Sequence, residues 1–222
     1  MNRLIGRTVV LPVLCLAACT GSLFQSKAAP PVVYLLSPIA GSPAGDPAAP
    51  GAPTIPADLA VLKPRLRPGL ESDRIAVLYP DRHLDYFAGA RWSGPLGEVL
   101  QDLAVQEFRD HANLRSVSAA DASMFASAYW LEIEVADFQA QYASAATGSA
   151  TTAPTVHVHF LARLGSSGDR RILAQFEANA QQPAAENRLS AIVDAYAHAA
   201  DAAWVEIVAH TDGTLAKISE AR

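Results

Sequence analysis

His157 and His159 stand two residues apart, a spacing that on a β-strand turns both imidazoles to one side. Glu132 and Glu134 repeat the pattern, and imidazole and carboxylate are both zinc ligands. If the two segments pair, all four groups can share one sheet surface. A closed zinc site needs further ligands at defined spacing, and the chain supplies none. The competing reading is a solvated sheet face laced with charge pairs, so no metal and no cofactor is assigned. Nucleophilic chemistry is no better served. Gly165-Ser166-Ser167-Gly168 lacks the spacing of a strained serine elbow and reads as a hairpin turn. No phosphate-cradling glycine loop ending in lysine is present. Asp137, near the end of an expected strand, reads as turn chemistry before general base. The expectation is a protein with no catalytic residue, hence not an enzyme.

Cys19 is the residue with the most definite chemistry. Arg3 and Arg7 precede a short apolar run, Thr8–Leu16, interrupted by Pro12. A bilayer needs ~20 apolar residues, so the run reads as a cleaved signal. Leu16, Ala17, Ala18 and Cys19 resemble the bacterial lipobox, which implies a lipidated cysteine at the start of the mature chain. Cys15 would leave with the signal, so no thiol remains for a disulfide or a nucleophile. Thr20 in place of an aspartate implies sorting to the periplasmic face of the outer membrane rather than to the inner membrane. The expected organisation is a signal peptide over 1–18, a flexible tether over 19–30, one domain over 31–210, and a tail over 211–222. The tether reaches roughly 35–40 Å when extended.

The chain carries a net charge of −5, and removing residues 1–18 takes away two arginines and no acid. Such a balance excludes a phosphate-tracking protein, and no nucleic-acid partner is expected.

Several elements must position whatever acts. Pro31–Leu36 reads as a first strand, followed by a proline-rich insertion over 40–57 with little able to enter a core. Leu59–Leu66, Arg74–Leu78 and His83–Phe87 read as strands. Ser93 as N-cap and Pro95 in the first turn then open a helix through Leu96, Val99, Leu100, Leu103 and Glu107. Leu114–Ser118 is a short strand, and Ala119–Phe125 a turn or short helix. Tyr129–Gln139 alternates best, with Leu131, Ile133 and Val135 on one face and Trp130 on the other. Thr155–Leu164 and Arg171–Ala178, the latter with Ile172, Ala174 and Phe176 inward, complete an antiparallel meander. A long helix from Glu186 to about Ala209 closes the chain with a wide apolar stripe. Strands, helix, strands, helix predict an α+β two-layer sandwich, a largely antiparallel sheet with two main helices packed on one face.

Of three tryptophans, Trp204 lies on the helix stripe and Trp92 precedes the first helix. Trp130 faces away from the apolar row and is the candidate partner surface.

Tyr34-Leu35-Leu36 after the tether, Arg74-Ile75 opening a strand, Arg91-Trp92 before a proline-started helix, and Leu131-x-x-x-Val135-x-Asp137-Phe138 recur in order. Together with the lipobox they resemble the auxiliary lipoprotein component of ABC-type transport systems, the paraquat-inducible protein C type. The resemblance implies a non-catalytic docking component, anchored in the membrane by lipid. Its implied partners are a periplasmic mammalian-cell-entry-domain protein, an ABC permease and an ATPase, which move lipids or other hydrophobic molecules between the two membranes. A homo-oligomer is a further candidate assembly. The alternative is a carrier lipoprotein holding lipid or solute in its own cavity. Dense alanines in the last helix favour a filled core over a cavity.

Overall fold

Tyr129–Gln141, the segment whose alternation is clearest in the sequence, is the strand on which the rest of the sheet is assembled. The computed structural model describes residues 29–39, 54–120, 127–143 and 152–221. The elements are β1 (Val32–Tyr34), β2 (Ile55–Leu62), β3 (Arg65–Leu66), β4 (Arg74–Leu78), β5 (Leu84–Trp92), α1 (Leu96–His111), β6 (Leu114–Ala120), β7 (Tyr129–Gln141), β8 (Thr155–Ser166), β9 (Ile172–Pro183) and α2 (Leu189–Glu220). The fold is α+β.

β8 pairs with β7 along its whole length, from Tyr129↔Ser166 to Gln141↔Thr155. That takes one edge of β7. The other edge is shared in succession by β2 at Tyr129–Leu131, β3 at Glu134–Val135 and β4 at Ala140–Gln141, all parallel to β7. The sheet is therefore mixed: β7–β8 and β8–β9 are long antiparallel ladders, the parallel contacts to β7 are short, and β2 runs parallel to β6 from Ile55↔Leu114 to Leu62↔Ala120. α1 packs on β6 and β2, α2 packs on β9, β8 and β2, and the two helices touch.

Between Val135 and Asp137 the ladder slips by one residue, a β-bulge that inserts Ala136. The inward row runs Leu131, Ile133, Val135 and then resumes at Phe138 and Ala140. Without the bulge Asp137 would enter the core and Phe138 would leave it.

Several boundaries differ from the sequence expectation for physical reasons. The strand expected over Leu59–Leu66 is interrupted at Lys63-Pro64 and becomes β2 and β3. The proline-rich insertion does not extend to residue 57: Ile55, Pro56 and Ala57 already belong to β2, with Ala57 buried. A register shift between Ile55 and Asp58 accommodates Pro56, which has no N–H to give a ladder. Ser93 does not cap α1. Pro95 occupies the N-cap position, and its carbonyl accepts from the Glu98 and Val99 amides. Ala119 and Ala120 continue β6. Ile172 is not inward. A slip at Gly165 puts it opposite that glycine on the outer face, 47 % exposed. The expected tail is helical: α2 runs to Glu220 because its buried stripe continues through Thr211 and Leu215. Residues 16–19, most of the proline-rich insertion, and 121–125 lie outside the described residues.

Candidate functional site

The motif positions are mostly structural. Tyr34 lies in register with Trp92 on the parallel pair β1–β5. Trp92 and Phe138 are buried and meet edge to face at 6.1 Å. Tyr196 of α2 closes the triangle, with ring centroids 5.2 Å from Trp92 and 5.1 Å from Phe138. Its hydroxyl accepts from the Ala140 amide and donates to the Ala76 carbonyl, both at 2.6 Å. It thus bridges β4 and β7 just before their short ladder begins at Val77↔Ala140. Burial pushes the phenol well above its ordinary pKa, so it stays a donor. Ile75 and Leu36 are buried, Leu35 is outside, Arg74 stacks over the Tyr86 ring at 3.7 Å, and Arg91 pairs with Asp73 at 3.6 Å.

The outer face of β7, β8 and β9 is polar and patterned. Trp130 lies opposite Gly165, where an added Cβ would fall 2.0 Å from the indole. Only glycine lets the ring lie across β8. Ile172, opposite the same glycine on the far side, extends this apolar spot. Beyond it Glu132 is shared by Arg65 at 3.0 Å and Arg163 at 3.4 Å. A second row joins Arg67, Asp137, His159 and Glu177, with separations of 3.4, 3.8 and 3.5 Å. His157 faces Gln139 and Gln181. The register keeps His157 and His159 away from Glu132 and Glu134, which oppose Arg163 and Leu161. Among the described residues no three His, Cys, Asp or Glu groups are placed to hold a metal ion. Ser166 ends β8 and Ser167 begins the turn, with its amide on the Ala128 carbonyl, so both serve the hairpin.

Where the helices meet, chemistry appears that the stripe pattern concealed. Glu107 of α1 is 1 % exposed and neither carboxylate oxygen has a hydrogen-bond partner. His111 Nε2 approaches to 3.6 Å. Burial, with Asp201 and Asp110 nearby, pushes Glu107 up to about 7. On α2, burial also raises Asp212, whose carboxylate accepts from the Asn113 amide at 2.9 Å. The sequence placed Glu107 on the apolar face of α1 but could not say that its carboxylate oxygens would be buried without a hydrogen bond. At the far side of α1, the Gln101 side chain donates to the Val61 and Ala120 carbonyls, closing the ends of β2 and β6.

The middle of α2 packs closely on the sheet, and a gap of about 180 Å³ stays between Ile55, Ala57 and Tyr129 of the sheet and Leu215 of α2. Ala195, Ala199, Ala200 and Ala203 bring α2 close to the sheet, and Trp204 packs on Phe160 at 4.6 Å. A groove of about 350 Å³ over Leu161, Arg163, Gln175 and Glu177 lies open to solvent, and one of about 180 Å³ between Arg67, Leu70, Leu84, Asp137 and Gln139 is smaller than the ~300–1,000 Å³ of ordinary small-molecule sites.

Known proteins resemble this chain in sequence and in shape. The family model described as ABC-type transport auxiliary lipoprotein component matches residues 34–208. No curated protein matches. The crystal structure of protein XCC0632 from Xanthomonas campestris, of the family DUF330, is similar at 25 % identity and a TM-score of 0.68. That likeness covers 85 % of this chain and 99 % of the other. A second crystal structure, of an uncharacterised protein, matches at 12 % identity and a TM-score of 0.55, covering 83 % of this chain and 98 % of its own.

Proposed function

The chain belongs to the ABC-type transport auxiliary lipoprotein component family, and from that membership we propose that it is a lipid-anchored, non-catalytic docking component of a transport system moving lipids or other hydrophobic molecules between the inner and outer membranes. Cys19 carries the lipid, behind Leu16, Ala17 and Ala18. The anchor holds the chain at the periplasmic face of the outer membrane, and the tether joins the domain to it. The partner is a mammalian-cell-entry-domain protein working with an ABC permease and an ATPase.

One observation carries this reading. The face of the sheet turned to the helices carries buried apolar side chains, whereas the opposite face carries half-buried Trp130, exposed Ile172 and two rows of paired charge. Such an arrangement supports action through a surface. Aromatic anchors amid polar residues are the usual composition of protein interfaces. Among the described residues no helix is long and apolar enough to cross a membrane. An acylated cysteine supplies the two or more chains that stable anchoring needs.

Affinity capture with the mature lipoprotein as bait tests the docking role. The mammalian-cell-entry partner is expected to be retained, with no stoichiometric lipid extracted from the bait. Lipid in the purified domain and no retained partner would favour the carrier instead. Cys19→Ser is expected to leave the membrane fraction, and a variant that still pellets with membranes would contradict the anchor.

A further inference from the structure

Exposed large apolar side chains are few among the described residues, and three of them fall in one place: Val32 at 56 %, Val33 at 49 % and Leu35 at 72 % exposed. All belong to β1 or come directly after it, where the folded domain begins. β1 pairs only with β5 among the described residues, so its other edge is open. Register places Val33 beside Arg91 of β5, and Arg91 beside Arg74 of β4. Partners in register share a face, so valine and two guanidinium groups form one row across three strands. Tyr34 and Trp92, one residue on, point into the core instead. Arg91 keeps Asp73 at 3.6 Å and Arg74 keeps the Tyr86 ring, and each retains further N–H donors.

We propose that the β1 edge, through Val33, Leu35, Arg91 and Arg74, rests on the anionic headgroup layer of the membrane that holds the anchor. The inference rests on the lipid-anchor reading above. Two features favour a bilayer over a protein strand as occupant. β1 is where the chain arrives from Cys19, so the apolar side chains are the part of the domain tethered nearest the lipid. Beside them stand long cationic side chains that lay their stems on apolar surface and give their heads to phosphate. Tethering also raises the effective concentration of the patch at the surface, so contacts too weak to recruit a free domain suffice here.

The test uses the full lipidated chain in vesicles of phosphatidylcholine with phosphatidylglycerol, with bromine-labelled acyl chains as quenchers. Cys19 is acylated and Cys15 is removed with the signal, so Val33→Cys and Ile172→Cys each offer one site for an environment-sensitive fluorophore. Both positions are exposed, and unchanged near-ultraviolet dichroism verifies the fold. The fluorophore at 33 is expected to be quenched several-fold more than at 172. Replacing Leu35 by Asp, or Arg74 and Arg91 by Gln, is expected to reduce the quenching at 33. A chain that floats with the vesicles and shows equal quenching at both positions overturns this inference alone. A chain that does not float overturns the anchor reading and this inference with it.

Discussion

The two faces of the central sheet are built from the same three strands and do opposite things. Towards the helices, β7 and β8 present Leu131, Ile133, Phe138, Val158 and Phe160, all buried, with Phe138 on Tyr196 and Phe160 on Trp204. Away from them, the alternate residues of the same strands make ion pairs in the open, with Trp130 laid over Gly165. The first face fixes the fold, so changes there appear as lost stability. The second is free to change without unfolding the protein, which is what a docking surface requires.

The contrast is broken first by Trp204→Ala, which empties a large buried side chain and is expected to cost about 3–5 kcal/mol in chemical denaturation. Trp130→Ala on the other face is expected to cost roughly 1 kcal/mol or less, and equal losses would refute the division.

Glu107 gives the next effect, on the order of 2–3 kcal/mol, and it depends on pH. Its carboxyl is raised from the unfolded value of 4.5 to about 7. The folded state therefore holds the proton where the unfolded state has lost it. Stability from this group is full below about pH 4.5 and declines until about pH 7. Glu107→Gln is expected to flatten this stretch of the Tm–pH curve and to raise Tm at neutral pH. A variant curve parallel to that of the natural protein would rule out the buried carboxyl as its source.

Tyr196→Phe leaves the Ala140 amide and the Ala76 carbonyl without the shared hydroxyl, for about 1–3 kcal/mol. Hydrogen exchange at Ala140 should accelerate with it. The smallest effect belongs to the outer rows. Glu132→Gln separates Arg65 and Arg163 from their common partner and is expected to change stability by about 0.5 kcal/mol or less, because exposed pairs are screened. A larger loss by thermal denaturation would make the open face part of the fold.

The meander β7–β8–β9 was legible because period-two alternation survives over long strands, and both helices because their apolar stripes are long. The sharing of one β7 edge by β2, β3 and β4 was not, since short parallel contacts leave no local pattern. The bulge at Ala136 and the slip at Gly165 were equally hidden: each turns the neighbouring residues to the other face, which is why Asp137 lies outside and Ile172 was expected inside. Thr211 and Leu215 continue the helix stripe at four-residue spacing, so the helical tail was readable, whereas the partners of Tyr196 and the burial of Glu107 against α2 depend on contacts far apart in sequence. Trp130 was placed correctly on the outward face by alternation, but its seat over Gly165 needed the register.

The central proposal, that this domain docks through the open face of its sheet, meets its most direct test in the affinity of a Trp130→Glu, Ile172→Glu variant for the proposed mammalian-cell-entry-domain partner. Measured by surface plasmon resonance with the mature lipoprotein, Kd is expected to rise at least about tenfold, equivalent to ~1.4 kcal/mol, with Tm nearly unchanged. An unaltered Kd would contradict the account.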